Sequence, residues 1–224
     1  MTPGFCVHTR LRAVSQATID QFRGLAVANI SDNMGRLSHG GPRLRPMSAT
    51  PRMAGPALTV KVRPGDNLMV HKGLNMAQRG DVLVVDAGGD MTNSIIGELM
   101  LAVAEEKQLG GIVIYGAIRD MATIAQSSLP VYAIGVTHRG PYKDGPGEVN
   151  TVIAIEGMSI TPGDLIVGDE DGVLCVPFDS TEAVYAGVQK TMQREASVLA
   201  QTRAGTVDRS WVDELLRARG CAGV

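Results

Sequence analysis

Within residues 97–120 the pattern of apolar and polar positions changes from helical spacing to a continuous apolar run. This segment contains the clearest predicted elements of the chain, and the remaining elements are predicted in the same way. Leu99 and Val103 recur at helical spacing, with the charged residues 105–107 on the other side, which predicts an amphipathic helix. We expect Gly110-Gly111 to end that helix, because glycine readily accepts the left-handed conformation of a helix cap.

The next apolar run predicts a strand that leads to a charged pair. Ile112–Tyr115 is short and β-branched, as in strands buried on both faces, and Gly116 is expected to end it. Arg119 and Asp120 follow just past the carboxyl end of this strand. Because ligands of open α/β sheets bind at the carboxyl ends of strands, this pair is the first candidate site.

Periodicity divides the remaining chain into alternating helices and strands. Helices are predicted over residues 15–37, 67–77, 121–127, 180–202 and 211–219, the last capped by Ser210. Strands are predicted over residues 57–62, 82–86, 130–134, 151–155, 159–160, 165–167 and 173–176. Residues 1–14 are expected to be an irregular lead-in, 135–150 a long loop, and Thr92, Asn93 and Ser94 caps before the central helix. The pattern predicts one compact α/β domain over 1–224, with its core at about 20–200 and a C-terminal helix at 210–219.

Composition narrows the classes of function. The chain has 27 glycines but only eight aromatic residues, so its core must be aliphatic and its turns tight. A net charge of −2 argues against nucleic-acid binding. No apolar run is long enough for a membrane span and no signal-peptide pattern is present, so a cytoplasmic protein is expected. The three cysteines are widely separated, which suggests neither a disulfide framework nor a zinc site.

The charged pair offers chemistry for a small anion and a hard cation. One oxygen of the Asp120 carboxylate could hold Mg²⁺, with water completing the octahedron. Arg119 could pair with the anion or with an oxyanion. A helix start can also bind an anion through its free amides, here those of Gly97, Glu98, Leu99 and Met100. Together these groups suit a small 2-oxo acid.

Three other motifs do not match their patterns. The acids of Asp169–Gly172 lack the spacing of a calcium loop, so a β-turn is expected. Val82–Asp90 lacks the glycine spacing of a dinucleotide or S-adenosylmethionine site, and is interpreted as a tight turn. No G-x-S-x-G motif, and no Cys–His pattern typical of a nucleophile, is found.

Three features together resemble a known family. They are the run Gly97–Met100 (GELM), the twenty residues between Glu98 and the Arg119-Asp120 pair, and the segment 162–177 (PGDLIVGDEDGVLCVP). The chain resembles, from about Ser31 to Glu195, the RraA-like family, which includes 4-hydroxy-4-methyl-2-oxoglutarate aldolases and the regulator of ribonuclease E activity A.

The resemblance implies a fold and a site. The fold is a swivelling-type α/β/β sandwich that assembles as a homotrimer or hexamer, with active sites between subunits. Pyruvate would contact the backbone of 97–100 and Arg119, and Asp120 would hold Mg²⁺ or Mn²⁺. An acid from the late helix of a neighbouring subunit would correspond to Glu195. One departure stands out, because Thr123 occupies a position at which the aldolases carry an acid.

We therefore predict a metal-dependent lyase that cleaves a short 2-oxo acid to pyruvate. The expected type is a 4-hydroxy-4-methyl-2-oxoglutarate or 4-carboxy-4-hydroxy-2-oxoadipate aldolase that also decarboxylates oxaloacetate. Arg119 would stabilise the enolate, and Glu98 or Glu195 would relay the proton of the substrate hydroxyl through water. The alternative is a non-catalytic regulator that binds ribonuclease E. A quinone methyltransferase is a further alternative, against which the missing glycine motif argues.

Overall fold

The apolar runs of the sequence form the strands of a mixed sheet. The computed structural model describes residues 3–224. Its strands are β1 (Phe5–Val7), β2 (Arg45–Pro46), β3 (Met53–Val62), β4 (Val82–Asp86), β5 (Ser94–Ile96), β6 (Gly111–Ile118), β7 (Val131–Val136), β8 (Gly147–Val149), β9 (Ile153–Ile155), β10 (Met158–Ile160), β11 (Leu165–Asp169) and β12 (Gly172–Val176).

Helices connect the strands and follow them at the end of the chain. They are α1 (Gln16–Phe22), α2 (Val27–Asp32), α3 (Leu68–Met76), α4 (Glu98–Glu106), α5 (Met121–Ile124), α6 (Thr181–Arg203) and α7 (Ser210–Ala218), with a short 3₁₀ turn at Phe178–Ser180. None of the helices in residues 3–224 combines the length and the apolar character needed to cross a bilayer.

The main sheet has the strand order β1-β8-β3-β4-β6-β7-β2. Strands β3, β4, β6 and β7 are parallel, as are β1 and β8. The first half of β3 pairs with β11, which continues into β12 as an antiparallel hairpin. Strand β5 lies parallel to the last residues of β6. The mixed α/β class that the sequence predicts is confirmed.

Strands β3, β4 and β6 are buried on both faces almost throughout, as their continuous apolar runs predict. In β6, Ile112 and Ile114 belong to the core formed with α3 and α4, whereas Val113 points to the opposite face and is also fully buried. In β4, Val85 belongs to the same core, whereas Val84 points to the opposite face and is also fully buried. The sheet is therefore a rigid platform from which its loops project.

The chain divides into two compact units. The first ends at Tyr185 and the second is Ala186–Val224, which holds most of α6 and all of α7. The single domain over 1–224, with a core at about 20–200, stays a prediction.

Several predicted boundaries are corrected near the N-terminus and in the loops. The helix expected over 15–37 is interrupted at Gly24, whose φ of 84° is left-handed, so two short helices form. The lead-in contains β1, because residues 5–7 pair with β8, which itself lies in the expected loop 135–150. Ser210 is the first residue of α7 and not its cap, and its amide donates to Asp208 Oδ1 at 2.8 Å.

The segment of residues 97–120 also differs from its prediction. Helix α4 buries Met100, Leu101 and Ala104, which leaves Leu99 and Val103 exposed. The left-handed residue after this helix is Gln108, with a φ of 56°. Gly110 serves close packing instead, because a Cβ there would overlap the Gly80 carbonyl oxygen.

Strand β6 does not end at Gly116 but continues to Ile118. A Cβ at Gly116 would come within 3.1 Å of the Ala87 side chain, so this glycine allows the sheet to pack closely rather than ending the strand. Ser94, predicted to be a cap, is the first residue of β5 and pairs with Ala117. Because of this extension, the charged pair Arg119-Asp120 directly follows the last residue of β6.

Candidate active site

The end of β6 and the start of α4 are brought together by β5. Ile96 pairs with Ile118, and the Arg119 amide donates to the Ile96 carbonyl oxygen at 3.0 Å. Gly97 and Glu98 follow β5 directly, so they lie beside Arg119 and Asp120. The four residues singled out by the sequence pattern thus meet at the carboxyl end of the parallel sheet, where ligands bind in this class of fold.

Asp120 is held in an unusual conformation. Its φ of 58° and ψ of 41° are left-handed, a conformation that residues other than glycine rarely adopt and that clusters at functional sites. Its Oδ2 accepts a hydrogen bond from the Glu98 amide at 2.9 Å and lies 3.6 Å from Arg119 Nε. Within residues 3–224, Oδ1 accepts no hydrogen bond, so one oxygen of this half-exposed carboxylate is available to a ligand.

Gly97 is required by this arrangement. Its φ of −150° is ordinary extended backbone, so conformational freedom is not the reason. A Cβ built at this position would overlap Asp120 Oδ2 and would lie 2.9 Å from Arg119 Cγ. The bare glycine therefore lets the carboxylate and the guanidinium approach the helix start.

Replacing Gly97 with alanine should displace the Asp120 carboxylate and remove its bond to the Glu98 amide. We expect catalytic activity to fall by at least roughly a hundredfold, because an ångström of misplacement at a reacting centre costs about that much. A Gly88→Ala control meets only Pro64 Cγ at 3.2 Å, although its φ of 69° adds local strain. Steady-state kinetics and thermal melting of both variants separate loss of the site from loss of stability. Full activity of Gly97→Ala would contradict this role.

The amides at the start of α4 are less available than the sequence predicts. The Glu98 amide donates to Asp120, and the Met100 amide donates to the Gly97 carbonyl oxygen at 3.1 Å. In the described chain the amide of Leu99 makes no hydrogen bond. The expected cradle of four amides, Gly97 to Met100, is therefore corrected, since two of them already have partners inside the protein.

A small pocket opens beside these residues. Its volume is about 120 Å³, well below the roughly 300–1,000 Å³ of pockets for drug-sized ligands, so it suits a compound of a few heavy atoms. Besides Gly97, Leu99, Met100 and Arg119, its lining includes three side chains that sequence reasoning missed, namely Asn67, His71 and Lys143. The sequence features that contain these side chains are the helix predicted over 67–77 and the long loop predicted over 135–150.

The three additional side chains give the pocket a cationic and polar wall. Asn67 is almost fully buried and donates to the Ile95 carbonyl oxygen at 2.9 Å, while its Oδ1 has no hydrogen-bond partner among residues 3–224. Burial and the nearby ammonium of Lys143 lower the pKa of His71, which favours the neutral form of this imidazole. Arg119 and Lys143 therefore supply positive charge, and His71 supplies a neutral ring.

A buried aspartate holds the loop that carries Lys143. Asp66 is fully buried, and its Oδ2 accepts the amides of Asp144 at 2.7 Å and Gly145 at 2.9 Å. Its Oδ1 accepts the Leu68 amide at 2.9 Å, at the start of α3. Because one carboxylate joins the loop to this helix, His71 and Lys143 are fixed on the same wall of the pocket.

Asp120 fits a magnesium ligand on its donor chemistry. Mg²⁺ binds through one or two carboxylates and keeps several waters, and the open Oδ1 offers one such donor. Among residues 3–224, Asp120 belongs to no group of three or more closely spaced ligating side chains. A cation there would accordingly take most of its ligands from water and substrate.

The remaining predicted residues lie in different surroundings. Glu98 is exposed in the first turn of α4, and Thr123 is exposed in α5. Glu195 is exposed on α6, in the second unit. The roles of Glu98 and Glu195 as proton relays stay predictions.

A larger cavity of about 700 Å³ lies at the opposite edge of the sheet. It is lined by Gly80, Gly110 and Pro130, which precede the parallel strands, together with Arg23, Arg52 and Arg79. It is an open groove at the amino ends of the strands. We therefore place the candidate site at the smaller pocket, which is lined by Arg119, Lys143 and His71.

The structure agrees with the interpretation of two other motifs as turns. Asp169 pairs with Gly172 across a two-residue hairpin, and its carboxylate accepts the amides of Val27 and Asp171. After β4, Gly88 and Gly89 are both left-handed, and a Cβ at Gly89 would come within 3.1 Å of the Tyr115 ring. Both segments are therefore turns whose polar groups or glycines contact other parts of the same chain.

The chain is similar in sequence to a known family and to named proteins. Residues 27–175 match the RraA-like family, described as Aldolase/RraA. A protein of Halalkalibacterium halodurans, provisionally named 4-hydroxy-4-methyl-2-oxoglutarate aldolase, is 39% identical over 194 residues. The match covers 85% of this chain and 91% of that protein.

Two solved structures share the fold. RraAS2 of Streptomyces coelicolor, an unusual member of the RNase ES inhibitor RraA family, has a TM-score of 0.76 at 23% identity, covering 83% of this chain and 96% of that one. A Geobacillus kaustophilus protein, titled S-adenosylmethionine: 2-dimethylmenaquinone methyltransferase, has a TM-score of 0.64 at 29% identity, covering 68% and 95%.

Proposed function

Because this chain belongs to the RraA-like, Aldolase/RraA family, we propose that it is a divalent-cation-dependent lyase that cleaves a short 2-oxo acid to pyruvate. The observation that carries the proposal is that Arg119 and Lys143 line one small pocket, with the open Asp120 carboxylate next to Arg119. The substrates we propose are 4-hydroxy-4-methyl-2-oxoglutarate or 4-carboxy-4-hydroxy-2-oxoadipate, with oxaloacetate for decarboxylation.

Binding of such a substrate follows from charge and size. A 2-oxo acid presents a carboxylate and a ketone on adjacent carbons, and the cationic groups of Arg119 and Lys143 match the carboxylate. The Leu99 amide and the neutral His71 ring can donate hydrogen bonds to its oxygens. The small volume favours the pyruvoyl end of the substrate, which leaves the leaving group at the open mouth.

The chemistry requires stabilisation of an enolate. When the bond between C3 and C4 breaks, its electron pair becomes part of the pyruvate enolate, and the negative charge accumulates on the C2 oxygen. Arg119 donates to that oxygen and is already oriented by Asp120. A Mg²⁺ or Mn²⁺ ion held by Asp120 would supply Lewis-acid stabilisation of the same charge.

Proton removal distinguishes the two reactions. Retro-aldol cleavage needs a base for the C4 hydroxyl proton, and we propose Glu98 or Glu195 as its relay through water. Decarboxylation of oxaloacetate releases CO₂ and reaches the same enolate without that base. A site with fewer acids can therefore retain decarboxylation more readily than aldol cleavage.

Thr123 tests this distinction. We expect Thr123→Glu to raise the rate of aldol cleavage relative to oxaloacetate decarboxylation, because it adds an acid in α5 near Asp120. The two residues are close, since the Thr123 amide donates to the Asp120 carbonyl oxygen at 3.1 Å. Both rates are measured on one preparation, so errors in active fraction cancel in their ratio. Thr123→Gln is the matched control for side-chain size. An unchanged ratio in Thr123→Glu would show that the position is silent.

Assembly is also part of the proposal. Leu99 is 80% exposed beside the pocket, an exposure that a neighbouring subunit would reduce. We propose a homotrimer or hexamer in which Glu195 reaches the site of a neighbour. Light scattering should give three or six chains per particle, and a monomer that is active at low concentration would contradict both statements.

The direct test is pyruvate release from a panel of short 2-oxo acids, with Mg²⁺, with Mn²⁺ and with excess chelator. Release that requires the cation supports the lyase. A protein that binds ribonuclease E without releasing pyruvate from any of them would favour the regulator. Binding of S-adenosylmethionine would favour the methyltransferase.

A further inference from the structure

Three side chains with metal-ligating atoms meet far along the sheet from the candidate active site. Cys6 and His8 lie on and just after β1, and Glu148 lies on β8. Cys6 Sγ is 2.8 Å from His8 Nε2 and 3.6 Å from Glu148 Oε1. Within residues 3–224, this is the one group of three or more such side chains whose ligand atoms all lie within 4.8 Å of one another.

Strand geometry explains the convergence. Residues two apart on a strand point to the same face, so Cys6 and His8 share a face of β1. Cys6 is paired directly with Glu148 across the parallel β1–β8 ladder, which places the third ligand on that face too. The His8 amide donates to the Val149 carbonyl oxygen at 2.9 Å, and Asn150 Nδ2 donates to the His8 carbonyl oxygen at 3.0 Å, so the register is fixed beyond the strand.

We propose that Cys6, His8 and Glu148 form a Zn²⁺ site with three protein ligands and a fourth position open to water. A thiolate, an imidazole and a carboxylate are the ligands that zinc uses, and three protein ligands plus water is its coordination in open sites. All three side chains are half-buried, so the ion can enter and a water can remain. The site lies outside the pocket at Arg119 and does not rest on the proposed function.

The distances suit a tetrahedral ion with a small adjustment. Bond lengths of about 2.3 Å to sulfur and 2.0 Å to oxygen or nitrogen separate two tetrahedral ligands by roughly 3.5 Å. The Cys6–Glu148 separation of 3.6 Å already matches, and the His8 ring must withdraw from Cys6 by less than an ångström. Ring rotation about the His8 side chain can supply that movement.

A second layer of contacts orients the carboxylate. Glu148 Oε1 accepts the Gly4 amide at 3.1 Å, and the Thr151 hydroxyl donates to the same carboxylate. Within the described residues Glu148 takes part in no ion pair, although Lys61 is its neighbour across the antiparallel β3–β8 ladder. The carboxylate is therefore held in position without being neutralised.

The site also indicates what zinc would do. Strand β1 is at the edge of the sheet and has three residues, so it has few backbone bonds to hold it. A metal that joins Cys6 and His8 to Glu148 would fasten β1 to β8. The matched family region begins at residue 27, so two of the ligands precede it.

The test uses the full chain, reduced and stripped of metal. Co²⁺ is added as a spectroscopic substitute, and Zn²⁺ affinity is measured by competition with a chromogenic chelator. We expect one ion per chain, a thiolate-to-cobalt absorption band in the near ultraviolet, and slower amide exchange of residues 5–8 on Zn²⁺ binding. Cys6→Ser should remove the band and weaken Zn²⁺ binding more than the roughly 10–100-fold typical of an outer-layer change, such as Thr151→Val.

Two controls make the assignment specific. Cys221→Ser removes an exposed cysteine elsewhere and should leave the band and the affinity unchanged. Asp120→Asn, at the candidate active site, should also leave them unchanged, which separates this site from that one. The proposal is overturned if the band is absent from the unsubstituted protein, or if it persists in Cys6→Ser at its original intensity.

Discussion

Replacing Asp120 with asparagine is expected to reduce pyruvate formation by at least roughly a thousandfold, because Lewis-acid stabilisation of an enolate is worth several kcal/mol. Asparagine keeps an oxygen that can accept the Glu98 amide and tolerates the left-handed backbone of this position. It removes the negative charge that would hold the cation. The loss should therefore occur without a comparable loss of stability.

The alanine variant separates the two contributions of Asp120. Asp120→Ala loses the charge and also the hydrogen bond to Glu98, and it places alanine in a left-handed conformation that costs roughly 1 kcal/mol or more. We expect both variants to be inactive but only Asp120→Ala to melt at a lower temperature. Kinetics and thermal melting of the two variants measure this. Substantial activity in Asp120→Asn would show that the carboxylate does not hold the cation.

Replacing Arg119 with lysine is expected to lower the catalytic rate more than it weakens substrate binding. The planar guanidinium can donate to Asp120 and to the substrate together, which a lysine ammonium cannot reproduce. The charge that it meets develops in the transition state, so the loss belongs mainly to kcat. Removing one such donor costs about 3 kcal/mol, or roughly a hundredfold in rate. Both aldol cleavage and decarboxylation should be affected.

Lys143 provides the comparison for Arg119. It lines the same pocket and carries the same charge, but we place it on the substrate carboxylate, which is charged before and after the reaction. Lys143→Met should therefore raise KM with a smaller change in kcat. Steady-state kinetics on both variants give the two ratios. An unimpaired kcat in Arg119→Lys would remove its role at the enolate.

The elements with the strongest pattern were predictable from the sequence. Strand β4 was predicted with its observed bounds, and burial of β6 on both faces followed from its β-branched run. The proximity of Gly97 and Arg119 followed from the rule that ligand sites lie at the carboxyl ends of strands. These features depend on local periodicity, which one sequence contains.

Other features depend on contacts between distant segments, which the sequence does not display. The sequence predicts that Gly116 ends a strand, whereas in the structure this glycine allows close approach to Ala87. Lys143 reaches the pocket because Asp66 fixes its loop, a contact across 78 residues of sequence. Likewise Cys6 and Glu148 are 142 residues apart, so cysteine spacing alone suggested no metal site.

We propose that a cation held at Asp120 is what enables this protein to act as a lyase. The most direct measurement is pyruvate formation by the metal-stripped protein from the panel of 2-oxo acids as Mg²⁺ alone is added back. We predict no turnover in excess chelator, recovery on addition of Mg²⁺, and no recovery in Asp120→Asn at the same concentration. Undiminished turnover in chelator, or equal recovery in Asp120→Asn, would contradict the account.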